Sequence, residues 1–363
     1  MNMHELKGDF ITRRETRQIM VGSVPVGAGA PIAVQSMTKA PTTDPDAVMV
    51  QIDACALAGA QIIRSAIPNA DALDGFEEIC KRSPLPVVAD IHFDYRLAIE
   101  AAHRGAAKLR INPGNIGDDD RVGQVIGAAK ECNIPIRVGV NAGSLEKDIS
   151  EKYNGPTAAA CCESAIRSVE RMYNLGCDNL IVSIKASDIW RTVEANRLFA
   201  KQSDLPLHLG ITEAGFGESG SIKSAVGLGI LLAEGIGDTL RVSLTDVPEQ
   251  EVHVGREILK SLGMLKGPQL VSCPTCGRCR VDLPTLAREV AQMLQDCDQE
   301  ITVAVMGCEV NGPGEAKEAD LGVAAGKGRV ALFRHGEVLR SVSFEDAAEA
   351  VREEINKLTC NNK

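Results

Sequence analysis

LAGAQIIRSAI, residues 57–67, holds the unit that decides the fold: the end of a helix, a glycine, and an apolar run rich in β-branched residues. Gly59 is predicted to provide the left-handed cap that ends the helix and turns the chain back. The run 61–67 is typical of a strand buried on both faces of a parallel sheet. The same order recurs, because Gly105, Gly176 and Gly235 each precede a further apolar run.

Eight such runs alternate with helical patterns over the first two thirds of the chain. They are residues 31–37, 61–67, 86–91, 106–112, 134–140, 178–185, 206–213 and 239–244. Eightfold β/α alternation predicts a TIM (β/α)8 barrel rather than an open, doubly wound sheet. The Gly-x-Gly-x-x-Gly signature of a dinucleotide site does not follow the first run, which weakens that alternative. We expect the barrel, its last helix and a linker to occupy residues 1–266.

The pattern changes after Gly267-Pro268, and residues 267–363 predict a small α+β domain. A cysteine-rich loop comes first, followed by a helix near 282–297 and a strand at 301–306. Two more strands are predicted at 329–333 and 338–343, on either side of His335-Gly336. A closing helix is predicted at 344–358, so the chain is an α/β protein with two domains.

Composition excludes several classes of function. The formal net charge is −10 and aromatic residues make up 3% of the 363 residues, which argues against a nucleic-acid-binding surface. No apolar run reaches about 18 residues, the length needed to span a membrane. The first residues lack the basic and apolar regions of a signal peptide. We therefore expect a cytoplasmic protein that binds neither nucleic acid nor membrane.

Positive charge collects where the barrel strands are predicted to end. Five of the strands place a cation in an otherwise apolar run, at Arg64, Arg110, Arg137, Lys185 and Arg241. Active sites of TIM barrels lie at this end of the strands. Burying cations is costly unless anions neutralise them. Internal ion pairs are the alternative explanation, but Asp90 and Glu213 could neutralise at most two of the five charges.

The surplus of cations therefore predicts a polyanionic ligand, and the forked guanidinium groups suit phosphate oxygens. Further polar side chains stand at the same predicted edge of the barrel: His92, Asn112, Asn141 and Ser243. For His92 alone, a structural histidine and a catalytic one are equally compatible with the sequence.

Four of the twelve cysteines lie among turn-forming residues, and they predict a metal centre. Cys273, Cys276 and Cys279 have C-x-x-C-x-x-C spacing, and Cys308 follows downstream. A zinc site made of four thiolates remains possible on count alone. A [4Fe–4S] cluster held by Cys273, Cys276 and Cys308 is the sharper hypothesis, because thiolates suit iron. Glu315 is then a candidate fourth ligand, and an easily displaced one.

The order of the motifs resembles one family along essentially the whole chain, the bacterial 4-hydroxy-3-methylbut-2-en-1-yl diphosphate synthases. The segments that carry the resemblance are RRETR at 13–17, VQSMT at 34–38, ADIHF at 89–93, LRINPGN at 109–115, RVGVNAGSL at 137–145, GITEAG at 210–215, SCPTC at 272–276 and GCEVNGPGE at 307–315. Cys279 departs from the family motif, as a thiol beyond the two that the first cysteine segment requires.

The resemblance implies an enzyme of the methylerythritol phosphate route to isoprenoids. Its reaction is a two-electron reductive ring opening of 2-C-methyl-D-erythritol 2,4-cyclodiphosphate, with loss of water, to 4-hydroxy-3-methylbut-2-enyl diphosphate. It also implies a [4Fe–4S] cluster, a homodimer, and flavodoxin or ferredoxin as electron donor. The implied cluster ligands fall on Cys273, Cys276, Cys308 and Glu315.

The resemblance also implies roles for the barrel residues. Glu213 is expected to donate a proton to the departing hydroxyl, while Asp90 and His92 orient the substrate. The cyclic diphosphate is expected to contact the following residues: Arg64, Arg110, Asn112, Arg137, Asn141, Lys185, Arg241 and Ser243. The alternative class that shares the cations and thiols is a phosphate-binding barrel hydrolase or transferase with a structural zinc domain. An electron carrier without catalytic function leaves the five barrel cations unexplained.

Overall fold

Each of the eight apolar runs contains a strand of one parallel barrel in the computed structural model, which describes residues 11–279, 281–295, 297, 299–308, 314, 316–326 and 328–360. The chain divides into two compact units, Ile11–Met264 and the residues from Leu265 onward. In the first unit a short hairpin precedes the barrel. Its strands are β1 (Ile19–Val21) and β2 (Val24–Val26).

The barrel strands follow in chain order around the ring. They are β3 (Ala33–Met37), β4 (Ile62–Ala66), β5 (Val87–Asp90), β6 (Lys108–Ile111), β7 (Ile136–Asn141), β8 (Leu180–Lys185), β9 (His208–Leu209) and β10 (Thr239–Leu240). β10 pairs with β3, and a parallel bridge between Val182 and Leu207 joins β8 to the start of β9, so the ring closes. The predicted TIM barrel is confirmed, although the last two strands are shorter than their apolar runs.

Helices surround the barrel. They are α1 (Pro45–Leu57), α2 (Ala72–Arg82), α3 (Tyr95–His103), α4 (Pro113–Ile116), α5 (Asp119–Glu131), α6 (Lys147–Lys152), α7 (Ala158–Asn174), α8 (Ile189–Ala200), α9 (Gly217–Ala233) and α10 (Pro248–Ser261). Gly59, Gly105, Gly176 and Gly235 all have positive φ, as predicted for helix caps before strands. No helix among the described residues is long and apolar enough to cross a membrane.

The hairpin closes the amino-terminal end of the barrel. Ile19, Val21 and Val26 are buried in one apolar cluster with residues from the first halves of the barrel strands, among them Ile62 and Val88. Burying these side chains removes water from that end of the lumen. The opposite end, where the strands finish, is therefore the end available for a functional site.

The second unit contains a five-stranded mixed sheet. Its strands are β11 (Gln269–Ser272), β12 (Thr302–Met306), β13 (Leu321–Ala325), β14 (Arg329–Arg334) and β15 (Glu337–Ser343). They lie in this order, the first three parallel and the last two antiparallel to their neighbours. The helices α11 (Leu283–Gln295) and α12 (Ala347–Cys360) contribute Leu286, Val290 and Val351 to the apolar core.

The predicted α+β elements of this unit are confirmed, and two strands were missed. β13 is Leu-Gly-Val-Ala-Ala, in which glycine and alanine lower the strand propensity of the segment. β11 is only four residues long and is followed directly by the cysteine loop, so its short apolar run does not stand out from the loop in the sequence. Sheet pairing with β12 decides the conformation of β11.

Two glycines of α9 provide a matched test of the packing. A Cβ at Gly220 would lie 2.8 Å from the carbonyl carbon of Gly215, whereas a Cβ at Gly229 would meet nothing within 4 Å. We expect Gly220→Ala to lower the free energy of unfolding by about 1–3 kcal/mol, because the backbones must separate. Gly229→Ala should raise it by about 0.5–1 kcal/mol through helix propensity. Urea unfolding of the two variants checks this, and equal effects would contradict the close packing at Gly220.

Candidate active site and cysteine centre

The five predicted cations lie in the barrel wall or directly after it. Arg64, Arg110, Arg137 and Lys185 belong to strands and are buried, and Arg241 follows β10 and is half-buried. Successive side chains of a barrel strand point alternately outwards, towards the helices, and inwards, towards the lumen. The apolar residue directly before each cation faces the helices, so the cations face the lumen.

Asp90 contacts three basic side chains on one side of the lumen. Its carboxylate accepts a hydrogen bond from Arg110 Nη1 at 3.0 Å and lies 3.8 Å from Arg64 Nε. His92 Nε2 lies 3.5 Å from the same carboxylate, with about half of the imidazole exposed. Burial alone would raise the pKa of Asp90, but Arg64, His92 and Arg110 outweigh it and hold the pKa well below the ordinary range. Asp90 is therefore ionised at neutral pH.

Glu251 neutralises Arg241, and the sequence analysis did not identify it. The carboxylate is fully buried and accepts from Arg241 Nε at 3.1 Å and Nη2 at 3.2 Å. Ser36 Oγ donates to it at 3.0 Å, the Leu244 N–H donates at 3.2 Å, and Lys39 Nζ lies 3.3 Å away. Glu251 lies in the first turn of α10, where an acidic residue is ordinarily explained by the helix dipole.

Arg137 has no carboxylate partner among residues 11–264. It is 1% exposed, and its Nε and Nη1 atoms form no hydrogen bond within the described part of the chain. Burial, followed by repulsion from Arg64 and Arg110, lowers the pKa of Arg137 well below its ordinary value. Burial and the charge of Arg137 likewise lower the pKa of Lys185. These two cations favour any anion that enters the lumen.

Arg64 and Arg241 share an unusually weak acceptor. Arg64 Nε lies 3.1 Å from the Met37 sulfur, and Arg241 Nη1 lies 3.6 Å from the same atom. A thioether is a poor hydrogen-bond acceptor. Burial lowers the pKa of Arg64 to about 10, and the charges of Arg241 and Arg110 contribute to the shift. The contact brings two guanidinium groups to the same sulfur atom.

A cavity of about 390 Å³ opens at the carboxyl ends of β7 and β8 and the loop after β9. Asn141, Lys185 and Glu213 line it, together with Arg191, which the sequence analysis did not single out. Glu213 is exposed and has a positive φ of 54°. A left-handed backbone is uncommon outside glycine and is concentrated at functional sites. Glu213 forms no ion pair within residues 11–264, so Glu251 and Asp90, rather than Glu213 and Asp90, compensate the buried cations.

The two remaining predicted residues lie at strand ends as expected, with different local contacts. The Asn112 side chain accepts a hydrogen bond from the Gly114 N–H at 3.1 Å and so caps α4. Its amide nitrogen remains available as a donor. Ser243 is half-buried and lies shortly after β10, two residues past Arg241.

In the second unit, sheet topology brings the two cysteine segments together. β11 and β12 are parallel neighbours, with Ser272 paired to Val305, so Cys273 and Gly307 both follow the same edge. The Gly307 N–H donates to Cys273 Sγ at 3.3 Å. Cys308 is half-buried and Cys276 is exposed. Glu315, the predicted fourth ligand, lies outside the described residues, as do residues 309–313.

The donor chemistry of this edge fits an iron–sulfur cluster. Thiolates are the ligands of such clusters, and a backbone N–H directed at a sulfur stabilises its negative charge. Over the described residues, however, no three Cys, His, Asp or Glu side chains converge closely enough to hold a metal ion. The pairing of β11 with β12 places Cys273 and Cys308 after adjacent strands, and the ligand set stays a prediction.

Cys279 packs as a structural residue in this arrangement. Its Sγ donates to the Val281 carbonyl at 3.3 Å, and its side chain packs against the apolar core of the unit. A Cβ at Gly307 would lie 2.6 Å from this sulfur. The thiol therefore occupies the space beside Gly307, directly before Cys308.

Replacing Glu251 tests the buried ion-pair network around Arg241. We expect Glu251→Ala to lower the free energy of unfolding by about 3–5 kcal/mol, because Arg241 loses its carboxylate partner and the Leu244 N–H loses its acceptor. Glu249→Ala, in the same helical turn, is the matched control and should change stability by about 0.5 kcal/mol or less. Urea unfolding measures both, and a small effect at Glu251 would contradict the network.

Two family models match the chain, one in each of its two units. The family model described as the GcpE TIM-barrel domain matches residues 16–256, and that described as the GcpE protein C-terminal domain matches residues 269–357. A protein from Geobacter sulfurreducens named 4-hydroxy-3-methylbut-2-en-1-yl diphosphate synthase (flavodoxin) is 55% identical over 95% of this chain and 98% of its own length. A protein of the same name from Thermodesulfovibrio yellowstonii is 52% identical over 96% of this chain and all of its own length.

Among solved structures, a type I 3-dehydroquinate dehydratase from Clostridium difficile matches with a TM-score of 0.51 and 12% identity, over 68% of this chain and 98% of that chain. This likeness shows the barrel fold alone. The two family models and the relatives establish the family as well as the fold: the chain belongs to the GcpE family, as its motifs predict.

Proposed function

We propose that this chain is the iron–sulfur oxidoreductase that converts 2-C-methyl-D-erythritol 2,4-cyclodiphosphate to 4-hydroxy-3-methylbut-2-enyl diphosphate. The reaction consumes two electrons and one proton, breaks the carbon–oxygen bond that closes the ring, and releases one water. The relatives from Geobacter sulfurreducens and Thermodesulfovibrio yellowstonii carry the name of this activity over nearly their whole length.

The observation that carries the proposal is the uncompensated positive charge in the lumen. Arg137 has two donor atoms without partners, and Lys185 lines the open cavity at the strand ends. A diphosphate brings several negatively charged oxygens, and charge-assisted hydrogen bonds to them are roughly twice as strong as neutral ones. We propose that the substrate-binding set is Arg64, Arg110, Asn112, Arg137, Asn141, Lys185, Arg241 and Ser243.

The carboxylates of Asp90 and Glu213 have different surroundings, and we assign them different roles in orienting the substrate and in proton transfer. Asp90 is held ionised by Arg64 and Arg110, so it is a poor proton donor and serves to orient these guanidinium groups and His92. Glu213 is exposed to the cavity beside Lys185 and is free of ion pairs within the first unit. We therefore assign to Glu213 the transfer of a proton to the departing hydroxyl, and to His92 the positioning of substrate at the rim.

Cys273, Cys276 and Cys308 are the proposed ligands of a [4Fe–4S] cluster, with Glu315 as the fourth. Two of these residues follow adjacent parallel strands, and the Gly307 N–H directed at Cys273 Sγ suits a thiolate ligand. When bound, the cluster supplies the reducing equivalents for ring opening. The chain's own contribution is to bind and neutralise the diphosphate, to orient the ring and to deliver the proton.

Partners and location follow from the same proposal. The relatives' names specify flavodoxin, so we propose flavodoxin, or the equivalent small carrier ferredoxin, as the electron donor. We also propose a homodimer in the cytoplasm, as the motif resemblance implies. The alternative, a hydrolase or transferase with a structural zinc domain, shares the cations but gives no reason for the family-wide name of the relatives.

Metal analysis of two cysteine variants tests the cluster ligands. Anaerobically purified protein should contain about four irons and four sulfides per chain, with a broad thiolate-to-iron absorption band. Cys273→Ser should lose most of the iron and the band. Cys279→Ser, three residues beyond Cys276, should keep both, because its thiol packs beside Gly307 and is not assigned as a ligand. Stoichiometric zinc in colourless protein would remove the reductase proposal.

Turnover of the cyclic diphosphate tests the assignment of Glu213. With a strong reductant, Glu213→Gln should lower kcat by about 10²-fold or more, the usual contribution of a general acid, and change KM much less. Glu218→Gln, an exposed carboxylate nearby in α9, is the matched control and should turn over like wild type. If Glu213→Gln keeps full kcat, another group delivers the proton.

A further inference from the structure

One polar layer of the barrel contains Arg137 of the proposed substrate-binding set together with three buried residues outside that set. Gln35 in β3, Lys108 in β6, Arg137 in β7 and His208 in β9 are each at most 1% exposed. Lys108 Nζ lies 3.4 Å from Gln35 Oε1. Because β6 and β3 are three strands apart around the ring, this contact crosses the lumen. The sequence analysis did not single out Lys108, although it stands two residues before Arg110 on the same strand face.

Hydrogen-bond donors in this layer outnumber acceptors. Gln35 Nε2, Arg137 Nε and Nη1, and His208 Nε2 have no partner within the described part of the chain. The other His208 nitrogen, Nδ1, lies 3.4 Å from Thr239 Oγ1. Buried polar groups in proteins are almost always paired, and a buried group that stays unpaired lowers the stability of the folded state.

No carboxylate serves this layer within residues 11–264. Asp90 contacts Arg64, Arg110 and His92, while Glu251 contacts Arg241. Burial lowers the pKa of Lys108 well below its ordinary value, and the charges of Arg137 and Arg64 lower it further. Burial followed by the charges of Lys185, Arg137 and Lys108 lowers the pKa of His208 in the same way. Positive groups therefore face one another here.

The layer is enclosed on both sides. The apolar cluster of the β1–β2 hairpin with Ile62, Val88 and Ile181 fills the barrel below it. Towards the carboxyl end, Asp90 and Arg110 are paired two residues later along their strands than Val88 and Lys108, and both are buried. Lys108 and His208 themselves have no exposed surface.

We propose that Lys108, Arg137, His208 and the Gln35 amide bind one small monovalent inorganic anion, of the size of chloride, on the barrel axis. Such an ion accepts from several donors at once and needs no opening wide enough for a substrate. It compensates Lys108, which no described carboxylate of the first unit contacts. The site shares Arg137 with the proposed substrate-binding set, but Lys108, His208 and Gln35 are outside that set, so binding of the small anion and binding of the diphosphate can fail independently.

Halide-dependent stability tests the site. The melting temperature of wild-type protein is measured at constant ionic strength while bromide replaces gluconate from 1 to 100 mM. We expect a rise of about 2–4 °C for wild type, because an anion that binds only the folded state stabilises it. Lys108→Met should lose the rise, whereas Lys147→Met, at a surface lysine with a 91% exposed side chain, should keep it.

Crystals of the wild-type protein grown in bromide provide a measurement that does not depend on the folding of a variant. An anomalous bromide peak between Lys108 Nζ and the Arg137 guanidinium is the expected result. An empty lumen at this position, together with a melting temperature that does not respond to bromide, overturns the proposal. In that case Lys108 is an uncharged amine in the folded protein.

Discussion

Positive charge buried in the barrel without an equal number of carboxylates is the constraint on which the rest of the structure depends. Within residues 11–264, Asp90 and Glu251 are the two carboxylates that contact the lumen cations, and Arg137 is left with donors that no described residue accepts. A buried charge without a counter-ion is unfavourable. Binding of an anion in the lumen relieves this cost, so the unpaired cations favour anion binding. The pKa values of Arg64, Arg137 and Lys185 are lowered for this reason, and a bound diphosphate would reverse the effect.

The barrel makes this concentration of charge possible. Apolar residues on the outer face of each strand pack under the helices, and the β1–β2 hairpin fills the amino-terminal end with Ile19, Val21 and Val26. Stability therefore comes from the outer layer and from one end, which leaves the lumen free to hold polar side chains. Glu251 reaches the same region from α10, so a surrounding helix also helps to orient the charged groups.

The strand positions and the five cations could be predicted because a buried parallel strand has a plain sequence pattern, and a charge within it stands out. Glu251 could not be predicted in this way, since its contact with Arg241 depends on how α10 packs over the end of β10. Lys108 stands two residues before Arg110 and therefore on the same strand face, so strand alternation could have identified it; its burial and its contact with Gln35 across the ring show that it lies inside.

The cysteine segments were recognisable from spacing, but their meeting depends on the pairing of the unpredicted strand β11 with β12. The role of Cys279 could be argued either way from sequence, because a third thiol at this spacing is compatible with ligation and with packing. Its contact with Gly307 and the core favours packing.

The central claim is that the lumen cations bind a diphosphate, and calorimetric titration tests it most directly. Metal-free protein is titrated with 2-C-methyl-D-erythritol 2,4-cyclodiphosphate and, separately, with 2-C-methyl-D-erythritol. The account predicts saturable binding of one cyclic diphosphate per chain, weakened at least about tenfold by Arg137→Met, and no measurable binding of the sugar alcohol. Equal affinity in wild type and Arg137→Met, or no binding of the diphosphate at all, would contradict it.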